Sequence, residues 1–176
     1  AALVAAARAR PGQVPFASSG SGSLTHLTAE LFAADARLRM VHVPYRGSPP
    51  ALADLISGQV AMLFDALTTA LPLHQSGQIR IVGIATRERA AELPDVPSLV
   101  EAGFPNLDVP NWFGLFVPAA TPAPIVQRLS AALAEVTATE SYRALMRARS
   151  ATPVTLGEGG LDGFLARERT RWAEAV

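Results

Sequence analysis

The residues best suited to holding a ligand are Ser18-Ser19-Gly20-Ser21-Gly22-Ser23. They stand between a short apolar run, Val14 to Ala17, and an apolar helical pattern that begins at Leu24. In a strand–turn–helix arrangement the first N–H groups of the helix have no intrahelical partner and point outward. Gly20 and Gly22 let a ligand approach the backbone closely, and the hydroxyls of Ser18, Ser19, Ser21 and Ser23 add donors. The loop suits an anion. Two or three hydrogen bonds to a charged group, at about 1.5–3 kcal/mol each, with about 0.3–1 kcal/mol from the helix end, hold one carboxylate. The competing reading of the same residues is a serine-capped turn with no ligand.

Several anion-handling chemistries are excluded. A P-loop needs Gly-Lys-Ser/Thr, and all 15 basic residues are Arg. A dinucleotide fingerprint needs a third Gly where Thr25 stands, and a nucleophile elbow needs Gly-x-Ser-x-Gly rather than Ser-Gly-Ser-Gly-Ser. No Arg lies in the loop, so neutral donors alone balance a polyphosphate poorly. Ser, His and Asp do occur around the loop, which keeps a hydrolase using a loop serine such as Ser21 as an alternative. Nothing fixes a nucleophile–base–orienter order for it.

Other residues have two readings each. His26, in the first turn after the loop, donates to the ligand or fixes the loop, or is an ordinary helix histidine. Asp65 follows the apolar run ending at Phe64; ligands of open α/β sheets sit at strand carboxyl ends, so it receives an ammonium or hydroxyl, or it caps the next helix. Arg46, in Tyr45-Arg46-Gly47, pairs with a carboxylate or solvates the turn. Trp112 lines a cleft or is core. His42 and His74 show no metal-ligand spacing with His26, so no metal and no cofactor is expected. The absence of Cys removes disulfides, thiolate metal sites and cysteine nucleophiles.

The elements that must position these groups alternate. Residues 1–10 read as a helix stopped by Pro11-Gly12. A second helix carries Leu24, Leu27, Leu31 and Phe32 on one face. Met40 to Tyr45 reads as a strand. Ser48-Pro49 reads as an N-cap with proline at the first helical position, opening a helix that buries Leu52, Leu55 and Ile56 and ends at Gly58. Val60 to Phe64 is the next strand, a helix over 68–76 ends at Gly77, and the β-branched run Ile79 to Ala85 predicts a buried strand. This βαβαβ order predicts an α/β domain with a mostly parallel sheet. A Pro-rich connection runs from Thr86 to Asn111. Trp112 to Val117 reads as an aromatic strand, and Thr121-Pro122 as the cap of a helix with an apolar stripe, Ile125, Val126, Leu129, Leu133 and Val136. A helix over about 140–149 follows. Thr155 and Glu158 form a possible capping box for a last helix with Leu161, Phe164, Leu165 and Trp172 inward.

Of the 176 residues, 49% are hydrophobic and 17% charged, enough apolar content for a core and too much for a disordered chain. Fifteen acidic and fifteen basic residues give a net charge of +0, which argues against nucleic-acid binding. No apolar run approaches the roughly 20 residues of a membrane span, so direct membrane insertion is not expected. The sequence opens without Met inside the Ala-rich AALVAAARAR and shows no signal-peptide pattern; the expectation is a chain that begins within something longer.

Several segments in register carry a family resemblance: PFASSGSGSLTHLTAELF, VHVPYRGSPPALADLISGQVAMLFDA, SGQIRIVGIATRERAAELPDVPSLVEAGFP, NWFGLFVPAATPAPIVQRL and RERTRW. Together, from about Pro11 to Trp172, they resemble the Bug-type extracytoplasmic solute receptors of tripartite tricarboxylate transporters. The resemblance implies a periplasmic-binding-protein type II (Venus-flytrap) fold, two α/β lobes closing on a ligand. Residues 1–11 are then a connecting helix, 12–110 the second lobe with its Ser/Gly ligand loop, and 111–176 the return into the first lobe. It implies binding without catalysis: a small carboxylate held through backbone N–H groups, serine hydroxyls and bridging water. By the same resemblance Ser18, Ser19, Gly20, Ser21, Gly22 and Ser23 match the second-lobe ligand loop, His26 matches the histidine in the following helix, and Asp65 falls where an acidic residue often faces the cleft. Ser98 stands where Thr is usual. The partners implied are membrane permease subunits, the location periplasmic, and the family's opening segment, with a signal peptide and the first lobe's ligand loop, is expected upstream. An effector-binding domain of a transcriptional regulator, which reuses the same two-lobed fold, is the alternative.

Overall fold

The computed structural model describes residues 2–149, 151, 154 and 160–175. The chain divides into two compact units, one formed by the residues up to Asn111 together with those from Arg167, the other by Trp112–Ala166.

The first unit is built on three parallel strands, β1 (Pro15–Ser18), β2 (Val41–Pro44) and β3 (Met62–Leu63), in the order β2-β1-β3. Phe16 stands opposite His42 on one side and Met62 on the other. Successive strand side chains face opposite ways, and the central strand shows this directly. Phe16 joins a core with Ala7, Val14, Ala29, Phe32, Ala33, Leu38, Met62 and Leu107, whereas Ala17 joins a second core with Ala51 and Val60. The helices α1 (Ala2–Ala9), α2 (Leu24–Asp35), α3 (Ser48–Ser57) and α4 (Leu67–Gln75) complete this part of the unit. The expected parallel α/β order is therefore present.

Helix ends follow local chemistry. Ser23 caps α2 by accepting from the His26 N–H, and Gly58 closes α3 in the left-handed conformation (φ 80°) that costs glycine little. The buried face of α2 differs from the expected leucine stripe. Thr28, Ala29, Phe32 and Ala33 are buried, while Leu24, Leu27 and Leu31 are only partly covered. Small residues let the helix axis come close to its neighbours, and the buried Thr28 hydroxyl is satisfied by the Leu24 carbonyl one turn earlier (2.7 Å). Ile56 is 42% exposed rather than part of the buried face of α3.

Two expected strands do not form among the described residues. Ile79 to Ala85 carries no ladder beyond a single parallel bridge between Ile84 and Ser98, and Val82 is exposed. β3 pairs with β1 through only two residues, so no neighbouring ladder continues to this segment. The connection from Thr86 to Asn111 is held by scattered backbone bonds, such as that from the Val109 N–H to the Ala85 carbonyl (2.8 Å), and by side chains: Arg87 pairs with Asp108, Arg89 with Glu101, and the buried Ser98 hydroxyl donates to the Thr86 carbonyl (2.5 Å).

In the second unit, Trp112 to Val117 is likewise without strand pairing, with Phe113, Leu115 and Phe116 exposed. Trp112 packs edge-on against Phe164, ring centroids 5.0 Å apart. The helices are α5 (Ala123–Ala138), α6 (Glu140–Arg147) and α7 (Gly160–Ala175), the last extending into the residues of the first unit. Pro122 occupies the N-cap position of α5 and no side chain caps it, so Thr121 does not play the role its sequence position suggests. The stripe Ile125, Val126, Leu129, Leu133 and Val136 is present but exposed. The Thr155–Glu158 capping box lies outside the described residues. No helix among the described residues is long and apolar enough to cross a membrane.

Candidate functional site

The carboxyl ends of β2, β1 and β3 lie side by side, because the three strands run parallel and in register. Each feeds a loop and then a helix. The Ser18–Ser23 loop is therefore central, flanked by Tyr45-Arg46-Gly47 on one side and Phe64-Asp65-Ala66 on the other.

The loop is braced from within. Ser18 is fully buried. Its Oγ accepts from the Gly20 N–H (3.2 Å), donates to the Gly20 carbonyl (3.1 Å) and lies 2.6 Å from His42 Nε2. One hydroxyl proton cannot serve two acceptors, so these contacts are all satisfied when the proton sits on His42 Nε2. Thr25 Oγ1 is a hub: it accepts from the Ser19 N–H (2.8 Å) and lies 3.0 Å from Ser19 Oγ and 2.9 Å from Ser23 Oγ. Ser23 Oγ donates to the Gly20 carbonyl (2.6 Å), and the Gly22 N–H donates to His26 Nδ1 (3.1 Å). Gly20 has φ +139° and Gly22 φ +76°, values that a side-chain-bearing residue adopts only under strain.

This bracing leaves particular donors for a ligand. Ser23 N–H bonds Gly20 and His26 N–H bonds Ser23 Oγ, while the first backbone bond into the helix runs from Leu27 to Ser23. The Leu24 and Thr25 N–H groups have no acceptor among the described residues and are then the open donors of the helix start. The Ser21 side chain is exposed and makes no hydrogen bond among the described residues. Ser18, Ser19 and Ser23 spend their hydroxyls mainly on the loop, and Ser21 presents its own outward.

His26 fixes the loop as well as standing at it. Its Nδ1 accepts from Gly22, so its proton is on Nε2, which faces Glu30 Oε1 at 3.5 Å. The ring stacks on His42, centroids 3.8 Å apart and 20° from parallel, and Phe16 stacks on His42 at 5.1 Å. Burial, and then the neighbouring His26, lower the pKa of His42 from its ordinary value. His42 is a residue that spacing in the sequence left isolated. The usable signal was strand alternation: register puts His42 opposite Phe16, on the face that Phe16 shares with Ser18.

Asp65 is engaged by hydroxyls of the chain itself. Ser48 Oγ donates to Oδ1 and Thr69 Oγ1 to Oδ2, both at 2.6 Å. Asp65 does not cap α4, whose N-cap is Ala66. Ser48 is correspondingly not the N-cap of α3: that place belongs to Gly47 (φ 100°), whose N–H donates to the Ser19 carbonyl (3.2 Å). Gly47 and Ser48 thus connect the central loop to Asp65. Tyr45 turns its hydroxyl to Asp54 (2.6 Å). Arg46 is exposed and makes no ion pair among the described residues. No group of three or more His, Cys, Asp or Glu among the described residues has the placement for a metal ion.

Sequence comparison settles the family. The profile of the tripartite tricarboxylate transporter family receptors (TctC) matches residues 1–176. The chain belongs to this receptor family. The Protein BugT of Bordetella pertussis is 34% identical over 175 residues, covering 99% of this chain and 54% of BugT. Among solved structures, that of R. palustris Rpa4515 with adipate has a TM-score of 0.90 at 32% identity, over 98% of this chain and 58% of that one. MatC (Rpa3494) from Rhodopseudomonas palustris with bound malate has a TM-score of 0.85 at 29% identity, over 98% of this chain and 60% of that one. The chain thus spans little more than half the length of these relatives. The fold is that of the periplasmic binding proteins, of which this chain covers a part. None of these relatives supports the reading as a regulator's effector domain.

Proposed function

We propose that this protein is an extracytoplasmic solute receptor that binds a small carboxylate and delivers it to the permease subunits of a tripartite tricarboxylate transporter. The observation that carries the reading is the braced loop at the carboxyl edge of the sheet. Its open donors are the Leu24 and Thr25 N–H groups and the Ser21 hydroxyl, all neutral, beside the start of α2. Fixed neutral donors at a helix N-terminus favour one carboxylate. Adipate and malate, named with two relatives, are small dicarboxylates and agree with that chemistry. Ser18 to Ser23 and His26 form the site in this reading, and Asp65 shapes its edge through Ser48.

The reading assigns residues 12–110 to the second lobe of the receptor and 111–176 to the return into the first, with closure over the ligand presenting a new surface to the permease. It assigns no catalytic residue and no cofactor, and it places the protein in the periplasm, where such a receptor meets its permease.

The test is calorimetric titration of the intact protein with malate, adipate, citrate and a monocarboxylate such as acetate. Saturable binding of at least one di- or tricarboxylate, weakened by Ser21→Ala and by Gly22→Val, is expected. No heat and no thermal stabilisation with any of the acids overturns the reading. Ester hydrolysis that disappears in Ser21→Ala would favour the hydrolase instead.

A further inference from the structure

The loop's brace depends on which imidazole nitrogens carry protons. Gly22 N–H donates to His26 Nδ1, and this bond exists only while that nitrogen has a free lone pair. A proton arriving on His26 goes to Nδ1, because Nε2 already bears one. Two donors then face each other and the Gly22 bond is lost. The groups around the ring are few. Glu30, on the same helix, faces Nε2 at 3.5 Å and offers an entering proton a carboxylate to pair with. His42 from β2 stacks on the ring at 3.8 Å and is itself bonded to the Ser18 hydroxyl of β1, and Phe16 of β1 stacks at 6.3 Å. Two imidazolium charges at the stacking distance repel, so a proton on one ring opposes a second proton on the other.

The bond matters because of where Gly22 sits. It lies between Ser21 and the Ser23 cap, in the left-handed conformation (φ +76°), and its N–H is tied down by the His26 ring. Release of that tie frees the Ser21–Gly22 segment while the Thr25 hub still holds Ser19 and Ser23.

From this geometry we infer that the stacked His26–His42 pair is a proton-sensitive latch on the ligand loop, which opens on mild acidification and weakens carboxylate capture. The inference rests on the receptor reading for its effect on affinity, but the latch itself is a property of the ligand-free loop.

The intact protein and His26→Asn separate the possibilities, since Asn Oδ1 takes the place of Nδ1 as an acceptor that does not titrate in this range. Malate affinity is measured by calorimetry at about pH 7.5 and about pH 5.5, on either side of the imidazole range. Amide exchange of Gly22, corrected for its intrinsic pH dependence, is followed without ligand at the same two values. Wild-type affinity is expected to fall about tenfold further than that of His26→Asn, the equivalent of one pKa unit of linkage. Gly22 protection is expected to drop in the wild type alone. Parallel affinity losses in the two proteins reflect protonation of malate itself and overturn the latch, as does unchanged Gly22 protection. If malate binds neither protein at about pH 7.5, the affinity arm uses whichever other acid of the panel binds, and binding of none overturns the receptor reading while the exchange measurement still decides the latch. If His26→Asn does not fold, Glu30→Gln in its place removes the carboxylate facing the ring and should move the opening to lower pH; an unmoved midpoint overturns the latch.

Discussion

Ser48 donates its hydroxyl to Asp65 Oδ1 at 2.6 Å, across 17 residues of sequence, and so joins the loop after β2 to the loop after β3. The neighbouring Gly47 bonds the Ser19 carbonyl in the central loop. Three strand ends are thereby tied at one edge of the sheet, with Asp65 supplied by hydroxyls on both oxygens.

Removal of that tie has a definite cost. Ser48→Ala takes one of two hydrogen bonds from a half-buried carboxylate and should lower unfolding free energy by about 1.5–3 kcal/mol. Urea denaturation followed by circular dichroism measures it. Thr69→Ala should have a smaller effect, because Thr69 is exposed and its hydroxyl also contacts the Ala66 carbonyl. Equal stability of Ser48→Ala and wild type would mean that Asp65 is adequately solvated without the bond.

Thr25 is the hub of the central loop, and valine has nearly its shape without its oxygen. Thr25→Val leaves the Ser19 N–H without its acceptor, an expected cost of about 1–3 kcal/mol. The loop should also lose order, so carboxylate affinity should fall with stability. Thr25→Ser keeps the oxygen and should recover most of both. Denaturation and calorimetry on the two variants give the answer; a fully stable, fully binding Thr25→Val contradicts the hub.

The Tyr45–Asp54 bond sets a pH dependence at the alkaline end. The hydrogen bond to Asp54, then desolvation and the Asp54 charge, raise the Tyr45 pKa above its ordinary value. The folded state thus holds this proton more tightly than the unfolded chain does. The associated stability is fully present below pH about 10, the unfolded tyrosine value, and is lost as pH rises through the higher folded value. The protein has two tyrosines, so the phenolate absorbance of wild type minus that of Tyr45→Phe reports Tyr45 alone. Its midpoint should lie above that of a free tyrosine, and Asp54→Asn should bring it down.

Much of this was legible in the residues. The order of elements up to Gly77, the glycine stops at Gly58 and Gly77, the Ser/Gly loop between β1 and α2, and the proximity of His26 to that loop could all be read along the chain. These are local facts. Helix hydrogen bonds join residues four apart, a glycine conformation depends on its own φ, and a loop between a strand and a helix is placed by its neighbours.

Tertiary structure decided what depended on distant partners. Ile79 to Ala85 and Trp112 to Val117 have strand-like composition, yet a strand exists only where another backbone supplies its ladder, and none does so among the described residues. The Ser48 hydroxyl had the position of a cap, but Gly47 takes that place and the hydroxyl donates instead to a carboxylate 17 residues away. His42 looked isolated until parallel register set it opposite Phe16 and under the His26 ring. By itself the sequence determined the βαβ order and a Ser/Gly loop without charged side chains between β1 and α2. Only the packing of β2 against β1 made that loop's shape depend on two stacked imidazoles, because register, unlike helix propensity, is a property of pairs of segments.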